Sequence, residues 1–260
     1  MPDKSKWTAW HTLSLLFVII AILLTGALTP NDSRLQAWLG TLLLLAILGG
    51  VIGHGVTNLW RGILIDERNM MSLSRFQITL WTLFILSAFL ISVIGNIRNQ
   101  LSDPVAISLP ETLWLLMGIS TASLIGSPLI RSNKMSKPVN ELEMARSLNL
   151  LFDQGVNPGK MTNRGQTIMN PTPQDSQWSD LFRGEEAGNI AQIDLSKVQN
   201  FLFTLILLLA YGFALGSMFT GNTGKITEFP ALDTGMVALL GISHAGYLVS
   251  KAFTHTPPSS

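Results

Sequence analysis

The chain has 260 residues, of which 47% are hydrophobic and only 13% are charged, and its 17 Lys and Arg nearly balance 16 Asp and Glu. Soluble domains carry roughly a quarter of their residues as these four charged types, so the composition excludes an ordinary soluble fold and indicates a membrane protein. The sequence has no Cys, which excludes disulfides, thiolate catalysis and cysteine-bound metal clusters. The net charge of +1 gives no support to a nucleic-acid-binding surface.

Six uncharged stretches rich in Leu, Ile, Val, Phe and Ala predict six transmembrane helices, because a helix that crosses a bilayer needs about 20 residues without an exposed charge. They cover residues 7–31, 35–60, 76–97, 112–130, 198–224 and 234–250. The sixth is short, but the long side chain of Lys251 reaches the interface and lengthens the usable span. The first follows Lys4 and Lys6 and also allows a cleaved signal peptide, although its length favours a retained helix. The predicted fold is an all-α, multi-pass membrane protein.

The distribution of basic residues predicts the orientation of these helices. If the N-terminus lies in the cytoplasm, 14 Lys and Arg fall in cytoplasmic segments and three fall outside. The three outside are Arg34, Arg98 and Lys225. Cytoplasmic loops of membrane proteins carry the excess of Lys and Arg, so both termini are predicted to lie in the cytoplasm.

A short polar motif occurs at the start of two predicted spans. It reads Leu-Ser-Arg-Phe-Gln at residues 73–77 and Leu-Ser-Lys-Val-Gln at residues 195–199, and a Thr follows each Ser after eight residues. The polar members of this helix-start motif are Ser74, Arg75, Gln77, Ser196, Lys197 and Gln199. The Ser can cap a helix and the basic residue can contact anionic headgroups, so the motif predicts a polar collar on the cytoplasmic side. A similar Ser-Arg-Leu-Gln at residues 33–36 is either a chance likeness or an inverted third copy.

A second motif follows each copy of the first. It reads Leu-Met-Gly-Ile-Ser at residues 116–120 and Leu-Leu-Gly-Ile-Ser at residues 239–243. The first motif recurs after 122 residues and the second after 123, which predicts a parallel repeat of a two-helix unit. Small residues four apart in the second motif favour close helix packing, and the alternative is a narrow polar passage. The candidates for either role are Gly118, Ser120, Thr121, Gly241, Ser243 and His244.

The predicted spans lack the residues that most chemistry requires. None contains Asp, Glu, Lys or Arg, which weakens an ion-driven transporter, and His54 and His244 are the only ionisable side chains at plausible membrane depth. The four His show no metal-binding spacing, and no phosphate loop or nucleophile elbow occurs. The sequence therefore predicts no catalytic residue, no metal site and no cofactor, and it favours a protein that is not an enzyme.

Residues 131–192 form the one sizeable polar segment, predicted to be a cytoplasmic loop. Helical spacing predicts a short amphipathic helix over residues 139–152, and Gly, Asn, Pro and Thr predict a flexible linker over residues 155–173. A second short helix carries the apolar residues Trp178, Leu181 and Phe182. This apolar stripe either rests on the membrane surface or on the protein's own helices, or it is a docking face for a cytoplasmic protein.

The predicted organisation has five parts. They are an N-terminal helix pair (1–60), a first repeat unit (61–130), the cytoplasmic loop (131–192), a second repeat unit (193–253) and a disordered tail (254–260). The strings at residues 72–77, 116–123 and 239–247 resemble those of a family of uncharacterised bacterial multi-pass membrane proteins, over roughly residues 60–253. The resemblance implies a place in the bacterial inner (plasma) membrane and implies no activity.

Three functions are compatible with these features. The first is a non-enzymatic membrane scaffold or anchor that forms a homo-oligomer, contacts membrane lipids and presents the cytoplasmic loop to a protein partner. The second is a pore or ion-channel subunit whose passage is lined by the Gly-Ile-Ser motifs. An enzyme acting on lipid comes third, because no acid, base and nucleophile can be grouped from the sequence.

Overall fold

The structure is a computed structural model, and it describes residues 7–158, 161–221 and 224–257. It is mostly helical, with 68% of the chain in helices. The described ranges contain seven α-helices: α1 (Ala9–Leu28), α2 (Arg34–Thr57), α3 (Leu73–Arg98), α4 (Glu111–Met135), α5 (Glu141–Asp153), α6 (Leu195–Gly221) and α7 (Thr234–Ala252). Two short strands, β1 (Thr162–Arg164) and β2 (Thr167–Met169), form an antiparallel hairpin.

Five helices in the described ranges are long and apolar enough to cross a membrane. They are α1, α2 with the 3-10 turn that precedes it, α3, α4 and α6. This set is compatible with a helical multi-pass membrane protein, as the composition predicts. Helix α7 covers the sixth predicted span but is not one of these five helices. A sixth crossing therefore stays a prediction.

The chain forms two compact units. Unit 1 comprises Met1–Ile63, Thr79–Met117 and Leu205–Val237, and unit 2 comprises Leu64–Ile78, Gly118–Thr204 and Ala238–Ser260. Unit 1 is a bundle in which α1 packs on α2 and aromatic rings fill the interior. Trp38 meets Phe219 with 5.5 Å between ring centroids, and its Nε1 donates to Ser87 Oγ at 3.0 Å. The interior indole is thus held by both a ring contact and a hydrogen bond.

A buried asparagine fixes the connection between α6 and α7 within unit 1. The Nδ2 of Asn96 donates to the carbonyl of Ile226 at 2.7 Å, and Oδ1 of Asn96 accepts from the amide of Ile226 at 2.8 Å. The side chain therefore donates one hydrogen bond to the loop backbone and accepts one from it, as the backbone of a neighbouring β-strand would. Such pairing satisfies polar groups that apolar surroundings would otherwise leave unbonded.

Unit 2 has its own apolar core, built around α5 and the hairpin. Its buried members are Met70, Leu151, Val156, Ile168, Ala187, Ile190 and Ala191. The predicted short amphipathic helix is confirmed as α5, and Oδ1 of Asn140 caps it by accepting from the amides of Leu142 and Glu143. Its inward face carries Met144, Leu148 and Leu151. Leu142 and Phe152 of the predicted stripe are 79% and 67% exposed, so α5 has apolar residues on two faces.

The prediction of a flexible linker is wrong for residues 162–169, which form the hairpin. Gly165 makes the turn with a φ of 55°, and Ile168 on the second strand is fully buried in the core of unit 2. Strands of three residues are too short to show an alternating pattern, and the Gly and Asn that suggest a linker are the residues that a tight turn uses.

Candidate functional site

Three residues of the Gly-Ile-Ser motifs come together where α4 and α7 pack in unit 2. Ser120 of α4 and Ser243 and His244 of α7 are all buried. Gly241 lies at the same contact, where an added Cβ would stand 3.5 Å from Cδ1 of Ile119. This distance is an ordinary van der Waals contact, so the two helices meet at Gly241 without requiring a glycine there.

The other two candidates lie elsewhere on α4. Gly118 and Thr121 are exposed, and so is Ala122. An added Cβ at Gly118 would meet nothing within 4 Å in the described part of the chain. Within one chain, Gly118 therefore does not hold two helices together, and a packing role for it requires another molecule.

Polar side chains that the sequence analysis missed extend the α4–α7 contact. Ser123 Oγ lies 2.5 Å from Nδ1 of His244, and Ser127 Oγ lies 3.2 Å from the hydroxyl of Tyr247. Lys251 Nζ donates to Ser127 and to the hydroxyl of Tyr247. The signal was available as polar residues at helical spacing on both helices, but uncharged Ser and Tyr do not stand out in an apolar span.

The helix-start motifs are only partly equivalent in the structure. Ser74, Gln77 and Lys197 are buried, Arg75 and Ser196 are partly exposed, and Gln199 is exposed. The six polar residues of the helix-start motifs therefore do not form one polar collar. Gln77 Nε2 donates to Thr204 Oγ1 at 2.7 Å and to the carbonyl of Asn200 at 3.4 Å, which joins α3 to α6 within unit 2.

Helix capping uses residues two positions before the predicted Ser. Oδ1 of Asp194 accepts from the amides of Ser196 and Lys197 at 3.0 and 3.3 Å, and Ser72 Oγ accepts from the amide of Arg75 at 3.5 Å. Asp194 and Ser72 thus bind the free amides at the starts of α6 and α3.

The three docking candidates occupy different environments. Trp178 is 54% exposed, whereas Leu181 is buried. Phe182 packs edge-on against Phe201 of α6, with 5.1 Å between ring centroids. The segment forms a 3-10 turn (Trp178–Leu181) instead of a helix, which separates Trp178 from the two residues that pack inward.

The most concentrated polar feature of unit 2 is a set of ion pairs that we call the ion network. Its members are the basic residues Arg68, Arg131, Lys134, Lys197 and Lys251 and the acidic residues Asp66, Glu67, Glu185 and Glu186. All are buried except Glu67 and the nearly buried Glu185. Charges taken out of water to this extent need partners of opposite sign, and each has at least one.

Glu185 is the centre of the ion network. Its carboxylate lies 2.7 Å from Lys251, 3.1 Å from Lys197 and 3.4 Å from both Arg68 and Arg131. These cations come from four separate segments: the loop before α3, the end of α4, the start of α6 and the end of α7. Glu185 therefore contacts side chains of α4, α6 and α7. It contacts the loop before α3 but not α3 itself.

Burial and charge act in opposite directions on the acids of the network. Burial opposes ionisation of Glu185, but Arg68, Lys197 and the other facing cations outweigh it and hold its pKa well below the ordinary value. Burial likewise opposes ionisation of Asp66, and Arg68 and Arg131 hold its pKa below the ordinary value. For Arg68, the facing carboxylates outweigh burial and raise its pKa. Glu185, Asp66 and Arg68 are therefore charged at neutral pH, whereas burial lowers the pKa of Lys251 to about 7.

His255 and Thr256, in the predicted disordered tail (254–260), are bonded to the ion network, while residues 258–260 lie outside the described ranges. Oε2 of Glu186 accepts from the amides of His255 and Thr256 at 2.9 and 3.2 Å and from Thr256 Oγ1 at 3.2 Å. Lys134 donates to Glu186 and to the carbonyl of Phe253. A carboxylate that binds two consecutive amides holds this stretch of backbone in one position.

Two loops of unit 2 share a construction that was not recognised from the sequence. In the first, the amide of Ser72 donates to the carbonyl of Leu64 at 2.8 Å, and Ile65 bridges Met71. In the second, the amide of Asp194 donates to the carbonyl of Phe182 at 2.8 Å, and Arg183 bridges Ile193. Each loop encloses an acidic pair of the ion network, Asp66–Glu67 or Glu185–Glu186, and leads directly into a long helix. The acidic pairs that precede both helix-start motifs could have revealed this similarity from the sequence, but the two loops differ in length.

The ion network offers little room for chemistry on a substrate. The cavity that it encloses measures about 20 Å³, which is enough for about one water molecule, whereas small-molecule sites have volumes of roughly 300 Å³ or more. In the described part of the chain, no group of three or more His, Cys, Asp or Glu side chains is placed to hold a metal ion. What the arrangement can do is fix helix ends to one another.

Comparison of the chain with protein-family models, with curated proteins and with solved structures finds no match to any of them.

Proposed function

We propose that this protein is a non-enzymatic membrane scaffold that oligomerises through its spans and presents a folded cytoplasmic platform to a protein partner. The observation that carries the proposal is the position of Glu185, whose contacts with Arg68, Arg131, Lys197 and Lys251 tie the segment after α4 to helix ends. A platform held in this way transmits position and force between the membrane and a partner, which a loose loop does not.

The engagement of the acids supports a structural role over an enzymatic one. A catalytic acid or base must reach the reacting atoms of a substrate. In unit 2, Asp66 and Glu186 are buried and bonded to Arg68 and Lys134, and Glu185 faces four cations. These carboxylates are committed to holding the protein together.

We further propose six crossings with both termini in the cytoplasm. The ion network supports this placement, because a cluster of nine charged side chains fits the cytoplasmic interface and not the hydrocarbon core. Helix α7 has 19 residues and a length of about 28 Å, close to the hydrocarbon thickness of about 30 Å. Its Lys251 joins the network on the proposed cytoplasmic side.

The chain has no Cys, so single introduced cysteines test this topology without background labelling. Asp103→Cys and Thr227→Cys should react with a membrane-impermeant maleimide applied to intact cells. Arg164→Cys and Thr254→Cys should react only after permeabilisation. Labelling of Thr254→Cys from the outside would rule out the sixth crossing, and the reverse pattern at all four positions would rule out the orientation.

We propose that the two helix pairs are copies of one parallel unit. Helices α3 and α6 begin at Leu73 and Leu195, 122 residues apart, and α4 and α7 begin at Glu111 and Thr234, 123 residues apart. The loops before α3 and α6 also share their closing hydrogen bond and bridge. The shared hydrogen bond and bridge support duplication, because they are features of the backbone, whereas the repeat was predicted from side-chain motifs in the sequence.

Oligomerisation is proposed to use the exposed face of α4. Gly118 and Ala122 are four residues apart, both are exposed, and the space beside Gly118 is open. Native mass measurement in mild detergent should give an oligomer for the wild type and a monomer for Gly118→Leu. Gly221→Leu on α6 is the control, because its added side chain also enters open space. A monomeric wild type would contradict the oligomeric scaffold.

One observation favours a pore subunit as a second candidate. Ser120 Oγ, Ser243 Oγ and His244 Nε2 are buried and have no hydrogen-bond partner in the described part of the chain. Buried polar atoms of this kind need a water or an ion as a partner. Conductance of the purified protein in planar bilayers separates the two functions. A current that Ser243→Leu abolishes supports the pore and contradicts the pure scaffold, whereas no current over a range of pH and salt supports the scaffold.

A further inference from the structure

A cleft runs between α1 and α2 on the surface of unit 1. It has a volume of about 510 Å³, and its walls are apolar side chains such as Leu13, Phe17, Leu44 and Ile47. Both helices are long and apolar enough to cross a membrane, so the cleft opens where the surrounding solvent is hydrocarbon. Its volume falls within the range of small-molecule sites, roughly 300–1,000 Å³.

Indole and imidazole rings gather at one end of the cleft. Trp10 and Trp60 line it there and are both largely exposed. Beside them, four rings follow one another in the order Trp7, His11, His54 and Trp60, with centroid separations of 5.5, 5.2 and 5.5 Å. Exposed indoles at the start of α1 and just after α2 are typical of the headgroup level of a bilayer, so this end of the cleft is the polar end.

Hydrogen bonds at this end leave one imidazole N–H without an acceptor in the described part of the chain. The amide of Thr8 donates to Nδ1 of His11 at 3.0 Å, which places the His11 proton on Nε2. That Nε2 lies 2.9 Å from Nδ1 of His54, so it donates there and leaves the His54 proton on Nε2. No residue in the described ranges accepts a hydrogen bond from Nε2 of His54.

Two glycines of α2 allow the aromatic end to lie close to the helix. An added Cβ at Gly50 would stand 2.7 Å from Cε3 of Trp60, and one at Gly55 would stand 2.3 Å from Cε3 of Trp7. Any larger residue at either position would push an indole away from α2. The cleft and its polar end are therefore formed before any ligand binds, which lowers the entropy cost of binding.

The charge of the sequence around this end is positive. In the sequence, Lys4 and Lys6 stand three residues and one residue before Trp7, Arg61 directly follows Trp60, and Asp3 is the one acid in residues 1–31. This surplus complements an anionic group. A neutral lipid would use the cleft and the indoles but would gain nothing from these charges.

We propose that the α1–α2 cleft binds one anionic glycerophospholipid, with an acyl chain in the cleft and a phosphate oxygen accepting from Nε2 of His54. The apolar walls select the chain, and the indoles set the depth of the glycerol. The free N–H of His54 and the positive charge of the adjoining sequence select the anionic headgroup. The site is independent of the scaffold function, since it uses unit 1 alone.

Native mass spectrometry of the detergent-purified full chain, titrated with phosphatidylglycerol or phosphatidylcholine of equal chain length, tests the site. The wild type should retain one phosphatidylglycerol per chain, with about tenfold weaker retention of phosphatidylcholine. His54→Ala should remove this preference, and His54→Gln, which keeps an N–H donor, should restore part of it. Equal retention of the two lipids by the wild type, or an unchanged preference in His54→Ala, would overturn the proposal.

Two tryptophan substitutions on α2 test whether the acyl chain lies in the cleft. Ile47→Trp fills the cleft and should abolish retention of both lipids, whereas Leu43→Trp, an exposed position outside the cleft, should retain phosphatidylglycerol as the wild type does. Equal losses in the two variants would contradict a specific cleft. A lipid-free dimer that Ile47→Trp alone dissociates would assign the cleft to a second copy of the chain and overturn the lipid site.

Discussion

The carboxylate of Glu185 lies 2.7 Å from Nζ of Lys251, which joins the loop before α6 to the end of α7. The same carboxylate faces Arg68, Arg131 and Lys197, so it interacts with several cations at once. Removing this carboxylate leaves Lys197 and Lys251 without an acidic partner in the described part of the chain, and the cost of that loss exceeds the value of any single pair.

Glu185→Gln is therefore expected to lower the free energy of unfolding by about 3–5 kcal/mol, measured by denaturant unfolding in detergent micelles. Glu143→Gln is the matched control, because Glu143 pairs with Arg146 on the surface of α5 at 3.7 Å. Exposed pairs contribute about 0.5 kcal/mol, so the control should remain close to the wild type. Equal effects of the two substitutions would show that the ion network is not a stabilising centre.

The stability of unit 2 is expected to fall in acid. The pKa values of Glu185 and Asp66 are lower in the folded protein than their ordinary values of 4.5 and 3.8. Their stabilising contribution is therefore complete above about pH 5 and is lost as the pH falls through the folded pKa values. Asp180 contributes in the opposite sense, because burial raises its pKa, and its contribution is greatest in acid.

Unfolding midpoints between pH 7 and pH 3 measure this dependence. The wild type should lose little stability from pH 7 to about pH 5, where Lys251 completes its protonation, and should lose more below that as the acids are protonated. Glu185→Gln should lose less than the wild type over the acid range, because one of the groups that must be protonated is gone. A Glu185→Gln profile parallel to that of the wild type would contradict the assignment.

The bond from Gln77 to Thr204 gives a prediction in which the proposed repeat provides the control. Gln77→Leu should lower the free energy of unfolding by about 1–2 kcal/mol, since Thr204 and Asn200 lose a buried donor. Gln199 is at the equivalent position of the second copy and is exposed. Gln199→Leu should therefore change the free energy of unfolding by less than about 0.5 kcal/mol. Thermal unfolding of both variants in the same detergent makes the comparison, and equal effects would argue against the buried bond.

Hydrogen exchange is expected to find protected amides in the tail. Oε2 of Glu186 accepts from the amides of His255 and Thr256, and Thr256 is buried. Both amides should exchange slowly in the wild type and rapidly in Glu186→Ala. Thr256→Val should have a smaller effect, because it removes the hydroxyl contact and keeps both amide bonds. Rapid exchange of both amides in the wild type would contradict the bonded tail.

The sequence predicts the long helices well, because the absence of charge over 20 or so residues is a property of one segment. The ends of α1, α3 and α6 lie within about three residues of the predicted spans. The ion network was not predicted, because Asp66, Arg131, Glu185 and Lys251 are far apart in sequence and each resembles an ordinary interfacial charge. Only the folded chain brings them together.

The helix α5 shows a different limit of prediction. Its apolar residues at helical spacing were correctly assigned to a helix, but Leu142 and Phe152 lie outward while Met144 and Leu151 lie inward. When apolar residues occupy two faces, periodicity alone does not choose the buried one. The choice is made by the hairpin, whose Ile168 covers the inward face.

The order in which the ion network receives its members has a consequence for biosynthesis. Arg68 is translated 183 residues before Lys251, and Glu185 comes between them. Until Lys251 emerges, Glu185 lacks the cation that lies nearest to it, and the end of α4 and the start of α6 are not joined to α7 through Glu185. The ion network is therefore completed only after α7 has been synthesised, and a chain that stalls before Lys251 contains an incomplete network.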